Sequence, residues 1–194
     1  MRMSILQYMI FIDYTKCMGC KSCELACAIR HSTSKSIYGM MFEEPKPRPR
    51  VQVIKIENYN VALNCRHCEK APCMSICPTR ALYKTEHGVV KINYNACIGC
   101  RLCVIACPIA HPVYDYSRKT IVKCDMCLGR YLRERKLPPC VEACPTGALI
   151  FGTVDEISKI VKTSRFTEYV KGIIETRENI LTTHHRMYER IRWY

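Results

Sequence analysis

The chain of 194 residues contains no run approaching the ~20 consecutive apolar residues of a membrane-spanning helix, so no transmembrane segment is expected. A secretory leader is not expected either. Arg2 and the apolar run Ile5–Ile12 imitate one, but they lead into Asp13 and Cys17 with no small-residue cleavage site, and the run reads as a strand. No phosphate-cradling glycine loop and no nucleophile–base–acid constellation can be found, so the chemistry of a nucleotide-dependent enzyme or a hydrolase is not expected. Negative charge is scarce, with 17 acidic side chains against 30 Lys and Arg, for a formal charge of +13. What remains is cysteine. With no leader expected, sixteen thiols point to a reducing, cytoplasmic setting, where clustered cysteines mean bound metal rather than disulfides.

The cysteines fall into four groups of four with none left over. Cys17, Cys20, Cys23 and Cys27 follow C-x2-C-x2-C-x3-C, and Cys97, Cys100, Cys103 and Cys107 repeat that spacing with a proline after the last. Cys65, Cys68, Cys73 and Cys77 read C-x2-C-x4-C-x3-C-P, and Cys124, Cys127, Cys140 and Cys144 read C-x2-C-x12-C-x3-C-P. A C-x2-C-x2-C loop can wrap three thiolates around three corners of an iron–sulfur cube. The fourth cysteine lies about one helical turn further and is carried toward a second cube, as in two-cluster bacterial ferredoxins. Zinc ribbons instead use two separated C-x2-C knuckles. Gly19 and Gly99 occupy the same place in their loops, and Pro78, Pro108 and Pro145 follow last cysteines, with Ala28 the departure. Sixteen thiolates and four oxidised cubane cores would bring the net charge to about +5, so the basic excess offsets the clusters' own anions and argues for no nucleic-acid partner.

An internal repeat supports this reading. Tyr14–Ala28 (YTKCMGCKSCELACA) matches Tyr94–Pro108 (YNACIGCRLCVIACP), and Cys77–Lys84 matches Cys144–Phe151. Ala81–Asn95 predicts strand, turn at His87-Gly88, strand. The expected fold is α+β: two bacterial-ferredoxin-like units, one inserted in the other, plus a C-terminal helical extension. Residues 1–30 and 120–153 would form the outer unit, with strand Ile5–Ile12 beside strand Ala148–Thr153. Residues 60–110 would form the inner unit, 31–59 and 111–119 the connections, and 154–194 the extension.

From about Phe11 to Gly152 the four groups resemble the four-cluster iron–sulfur subunits of the dimethyl sulfoxide reductase type. The likeness is strongest to the short forms that accompany carbon monoxide dehydrogenases, hydrogenases, formate dehydrogenases and tungsten aldehyde oxidoreductases. The resemblance implies four [4Fe–4S] clusters with the first group pairing with the fourth and the second with the third. One cluster would take Cys17, Cys20, Cys23 and Cys144, and its neighbour Cys27, Cys124, Cys127 and Cys140. The inner pair would be Cys65, Cys68, Cys73 and Cys107, then Cys77, Cys97, Cys100 and Cys103. It further implies a non-catalytic, cytoplasmic subunit of a hetero-oligomer, relaying single electrons between a catalytic oxidoreductase and ferredoxin or another redox subunit. A tungsten or molybdenum aldehyde oxidoreductase is the first expectation for the partner, with carbon monoxide dehydrogenase, hydrogenase or a free polyferredoxin as alternatives.

The other distinctive residues have ordinary readings. His67, within C-R-H-C, reads as a partly exposed loop residue rather than a ligand, and His184-His185 as a solvated helix face. Glu43–Arg50 (EEPKPRPR) should be an extended surface connection or lie along a partner. Leu128–Pro139, with Arg130, Arg133, Arg135 and Lys136, reads as a basic surface helix or an electrostatic docking patch. Thr153 and Glu156 suggest a capping box opening a helical tail, weakened at Gly172, whose apolar end (Met187, Tyr188, Ile191, Trp193, Tyr194) favours partner contact.

Overall fold

The structure, a computed structural model, describes residues 7–191, and beyond residue 176 it describes the backbone path alone. The chain divides into two compact units, one up to Val154 and one from Asp155 onward.

The first unit is built from small elements. In order they are β1 (Tyr8–Ile12), α1 (Ser22–His31), α2 (Ile37–Phe42), β2 (Val51–Ile56), β3 (Tyr59–Asn64), α3 (Pro72–Ser75), β4 (Leu82–Lys84) and β5 (Val90–Ile92). There follow α4 (Leu102–Ile105), β6 (Val113–Asp115), β7 (Thr120–Val122), α5 (Leu128–Glu134), α6 (Pro139–Glu142) and β8 (Leu149–Thr153). The strands pair antiparallel into four two-stranded sheets: β1 with β8, β2 with β3, β4 with β5, and β6 with β7.

The first pairing joins the two ends of the unit, with Ile10 opposite Phe151 and Ile12 opposite Leu149. Alternate residues Ile10 and Ile12 of β1 are buried, as the two-residue period of a one-sided strand requires. Tyr8 stacks on Phe151 at 5.6 Å, and Tyr131 meets Phe151 edge-on at 4.8 Å. The β4–β5 hairpin turns where expected: Gly88 has φ +78° and donates to Thr85 O, while Val89 N–H is taken by Thr85 Oγ1. The short helices α3 and α6 each open on proline, whose fixed φ suits the first helical position and whose missing N–H costs nothing there. Each then presents a buried cysteine, Cys73 or Cys140, at its second residue. Helix α1 packs on α6, and α3 on α4.

Two cores result, and cysteines are part of both. One gathers Ile10, Ile12, Val51, Ala62, Met126, Leu128 and Leu149 around Cys23, Cys27 and Cys140. The other gathers Ala71, Leu82, Val90 and Ile121 around Cys73 and Cys103. The stretches 31–59 and 111–119, expected as connections, carry α2, β2 and β6. The β2 sequence VQVIKI pairs residue for residue with β3, and Asp115 Oδ1 caps the β6–β7 turn by accepting the N–H groups of Ser117 (3.0 Å) and Arg118 (3.3 Å). Residues 43–50 form neither helix nor strand, and the Glu43 carboxylate ties this stretch back to the N–H groups of Thr33 and Ser34.

The second unit is one helix, α7 (Val154–Ile191), which continues from β8 and runs through Gly172 without a break. Phe166, Tyr169, Ile173 and Ile174 are exposed on it. His184, His185, Met187, Tyr188 and Ile191, and Trp193 and Tyr194 after them, lie outside the residues whose side chains are described. Among the described residues no helix is long and apolar enough to cross a membrane.

Candidate metal centres

None of the sixteen cysteines is in a disulfide, and the fold gathers them. Burial pushes the Cys23 thiol up to about 11, and the negative charges of Glu24, Cys144 and Cys17 add to the rise. Cys20 also feels Cys144, so a cysteine from the far end of the sequence lies beside the first group. Burial raises Cys140 strongly, reinforced by Cys27, Cys127 and Cys23, and it raises Cys124 as well, with Asp125, Cys140 and Cys27 contributing. Cys73 is raised by burial against the opposing charge of Lys123, and its thiol neighbours are Cys65, Cys107 and Cys68. Cys103 is pushed up to about 11 by burial and by Cys100, Cys73, Cys97 and Cys77. Cys77, Cys97, Cys100 and Cys103 also line one small cavity, closed by Leu82, Ile92 and Ile121.

Local backbone geometry aims hydrogen-bond donors at these sulfurs. The N–H of Arg50 donates to Cys27 Sγ (3.1 Å), that of Met126 to Cys124 Sγ (3.3 Å), and that of His67 to Cys65 Sγ (3.4 Å). The repeated Cys-Pro-Thr turns are near copies. Cys77 Sγ lies 3.7 Å from Thr79 Oγ1, and Cys144 Sγ lies 3.7 Å from Thr146 Oγ1. In both turns, backbone N–H groups two to five residues on outweigh burial and lower the thiol pKa. The C-x2-C-x2-C loops turn through left-handed residues, Gly19 and Lys21 in the first group, Gly99 and Arg101 in the third, before α1 and α4 begin.

The donor set fits iron–sulfur clusters. Burial first, and the repulsion of neighbouring thiolates second, make the most buried of these thiols resist ionisation by themselves. A cationic iron–sulfide core removes the repulsion, and the surrounding N–H groups suit sulfur that carries negative charge.

Several residues near the thiols were not legible in the sequence. His31 Nδ1 lies 3.6 Å from Cys27 Sγ, and Asp125 Oδ1 pairs with both His31 Nε2 (3.6 Å) and Arg50 Nη1 (3.5 Å). Burial works against a charged His31, but hydrogen bonds to Asp125, Cys127 and Cys27 outweigh it and raise the imidazole to about 11. His31, Asp125 and Cys127 come within chelating distance of one another, yet the guanidinium on the same carboxylate makes this an ion-pair group. The Thr120 hydroxyl lies close enough to Cys97 to help lower its thiol pKa and has no other partner among the described residues.

His67 requires a correction. It is not partly exposed but buried at 6%, because its φ of +46° turns the C-x2-C loop inward and the Val90 N–H donates to its Nδ1 at 3.0 Å. Its Nε2 is buried without a partner among the described residues. The basic stretch after Cys127 forms α5 as expected, but Arg130 is used internally, 2.9 Å from Glu142, and Arg133 Nε donates to Gly129 O.

The fold and its thiol clusters therefore define a cluster-binding redox protein of the ferredoxin-like class. Residues 56–154 match the family described as 4Fe-4S dicluster domain, and residues 14–36 match 4Fe-4S binding domain. The chain is 39% identical to the B subunit of the anaerobic dimethyl sulfoxide reductase of Escherichia coli (strain K12), across 79% of this protein and 77% of that one. It is 35% identical to the thiosulfate reductase electron transfer subunit PhsB of Salmonella typhi (77% and 78%) and 36% identical to the B subunit of the polysulfide reductase of Wolinella succinogenes (80% and 82%). The chain belongs to the 4Fe-4S dicluster domain family and is an iron–sulfur electron-transfer subunit of the dimethyl sulfoxide reductase type, non-catalytic in itself.

Proposed function

We propose that the sixteen cysteines hold four [4Fe–4S] clusters, in the sets Cys17–Cys20–Cys23–Cys144, Cys27–Cys124–Cys127–Cys140, Cys65–Cys68–Cys73–Cys107 and Cys77–Cys97–Cys100–Cys103. The observation that carries this reading is Cys144, which bears on Cys20 and Cys23 although more than a hundred residues separate them. In a ferredoxin-like unit of 1–30 with 120–153 and another of 60–110 inserted into it, such exchange of the last cysteine follows naturally. Cross-influences support an order: Cys103 feels Cys73, Cys140 feels Cys23, and Lys123 adjoins Cys124 while acting on Cys73. Each cluster, when bound, takes up and gives back a single electron. The chain's own part is to hold the thiolates, direct N–H groups at sulfur and keep water from the buried cysteines.

The partner is a catalytic oxidoreductase subunit in a cytoplasmic hetero-oligomer, with ferredoxin or a further redox subunit on the other side. A tungsten or molybdenum aldehyde oxidoreductase is one assignment. The names of the relatives favour another, a catalytic reductase subunit for a sulfoxide, thiosulfate or polysulfide. Anaerobic purification of the native protein tests both levels of the reading. The chain should carry about 16 iron and about 16 sulfide, with little zinc, and a large redox subunit should co-elute. Zinc in place of iron would refute the clusters, and a protein eluting alone would make it a free carrier.

A further inference from the structure

Lys123 is only 2% exposed, and lysine is almost never buried unless paired. No carboxylate pairs with it among the described residues. Its Nζ instead donates to two backbone carbonyls, Val90 O at 2.6 Å and Cys124 O at 3.0 Å. The N–H groups of those same two residues go to histidines: Val90 N–H to His67 Nδ1 at 3.0 Å, and Cys124 N–H to His111 Nε2 at 3.3 Å. One ammonium thus ties together β5, the Cys65–Cys68 loop, and the loop that opens the fourth cysteine group.

Lys123 is also the uncompensated cation of this region. Each histidine spends a ring nitrogen as an acceptor, so neither is an imidazolium. Asp125, two residues on in the sequence, is engaged with Arg50 and His31. Burying an unpaired ammonium is costly unless negative charge lies close by. The groups able to supply it are the thiolate-held clusters of the two sets that meet here: Val90, whose carbonyl holds the ammonium, packs in one core with Cys73 of one set, and the second carbonyl that holds it belongs to Cys124 of the other.

We propose that Lys123 is an electrostatic positioning residue of the relay, a fixed cation at the junction of the Cys65–Cys68–Cys73–Cys107 and Cys27–Cys124–Cys127–Cys140 sets that favours the one-electron-reduced state of both. The inference rests on the ligand sets proposed above. One electron arrives from the neighbouring centre and one leaves to the next. No bond is made or broken. Net charge, hydrogen bonding and solvent exposure are the levers on cluster potential, and here the lever is net charge. An electron passing between the two ferredoxin-like units then meets a well at the crossing.

The test is a redox titration followed by electron paramagnetic resonance on the intact chain or its complex, comparing wild type with Lys123→Gln, Lys123→Met and Lys123→Arg, each checked for iron and sulfide. Cys73→Ser and Cys124→Ser first mark which signals belong to the two junction clusters. With either uncharged variant those two should become harder to reduce by about tenfold in the reduced-to-oxidised ratio at fixed potential, or about 59 mV. The other two should move much less, and Lys123→Arg should stay near wild type. Equal shifts in all four clusters, no shift in fully loaded protein, or an arginine variant as displaced as the glutamine one would overturn the proposal while leaving the ligand sets standing. Failure of both uncharged variants to load iron while arginine loads normally would make Lys123 an assembly residue and also overturn it. If Cys73→Ser and Cys107→Ser damage different clusters, the ligand sets themselves fall, and the proposal falls with them.

Discussion

Two residues test the sites at the smallest scale, and they fail for different reasons. Cys144 follows Cys140 by one helical turn, yet it bears on Cys20 and Cys23 of the first cysteine group. Cys144→Ser should therefore remove or convert the cluster of Cys17, Cys20 and Cys23 and leave the Cys124 cluster intact, as read by Mössbauer or paramagnetic resonance spectra. Damage to the Cys124 cluster instead would mean that each group of four closes on itself. Gly99 is a test of backbone. It has φ +68°, and a Cβ there would collide with the carbonyl oxygen of Lys119. Gly19, its counterpart in the repeat, has φ +77°, but a Cβ would meet the Asn60 side chain, which can turn aside. Both alanine variants incur the left-handed penalty of about 1–2 kcal/mol. Only Gly99→Ala must also displace backbone, so it should lose its visible absorbance under chelator several-fold faster than Gly19→Ala. Equal decay rates would show that the Lys119 loop yields freely.

At the scale of elements, the β1–β8 ladder is the seam that joins the beginning of the unit to its end. Its register is pinned by burial, because a slip of one residue would turn Ile10 and Ile12 outward and expose them to water. Ile10→Ala removes side-chain volume from the core that contains Cys23, Cys27 and Cys140, and such truncations cost about 2–5 kcal/mol. The expected outcome is faster amide exchange in residues 149–153 as well as 8–12, with less change in the β4–β5 hairpin. Uniform acceleration across the unit would show that the ladder has no local stability of its own. Helix α5 illustrates a smaller point: a run of arginines that looks like free surface charge can be partly consumed by its own fold, as Arg130 is by Glu142.

For the molecule as a whole, the division after Val154 separates a cysteine-bearing unit from a single long helix. Every cysteine lies in the first unit. A chain ending at Thr153 should therefore load iron like the full chain but bind its catalytic partner more weakly, because α7 carries Phe166, Tyr169, Ile173 and Ile174 exposed. Raised salt should slow association more than it speeds dissociation if the basic side chains steer the encounter. Loss of iron from the shortened chain would place α7 in the core of the fold, and undiminished partner binding would place the docking surface elsewhere.

The sequence by itself determined the chemistry. Three thiols within seven residues can reach the same small object whatever the rest of the chain does, so the spacing of Cys17, Cys20 and Cys23, or of Cys97, Cys100 and Cys103, was readable directly. The β4–β5 hairpin and the start of α7 were readable too, because turn and cap signals are local. The hairpins β2–β3 and β6–β7 were passed over, although VQVIKI and the Asp115 turn were there to be read. Only the tertiary structure decided what is buried and what meets across the chain. The inward turn of His67, the carboxylate shared by His31 and Arg50, and the ammonium of Lys123 held by Val90 and Cys124 depend on segments tens of residues apart. A lysine reads as surface in any sequence. Burial belongs to the packing of distant elements, and no local pattern encodes it.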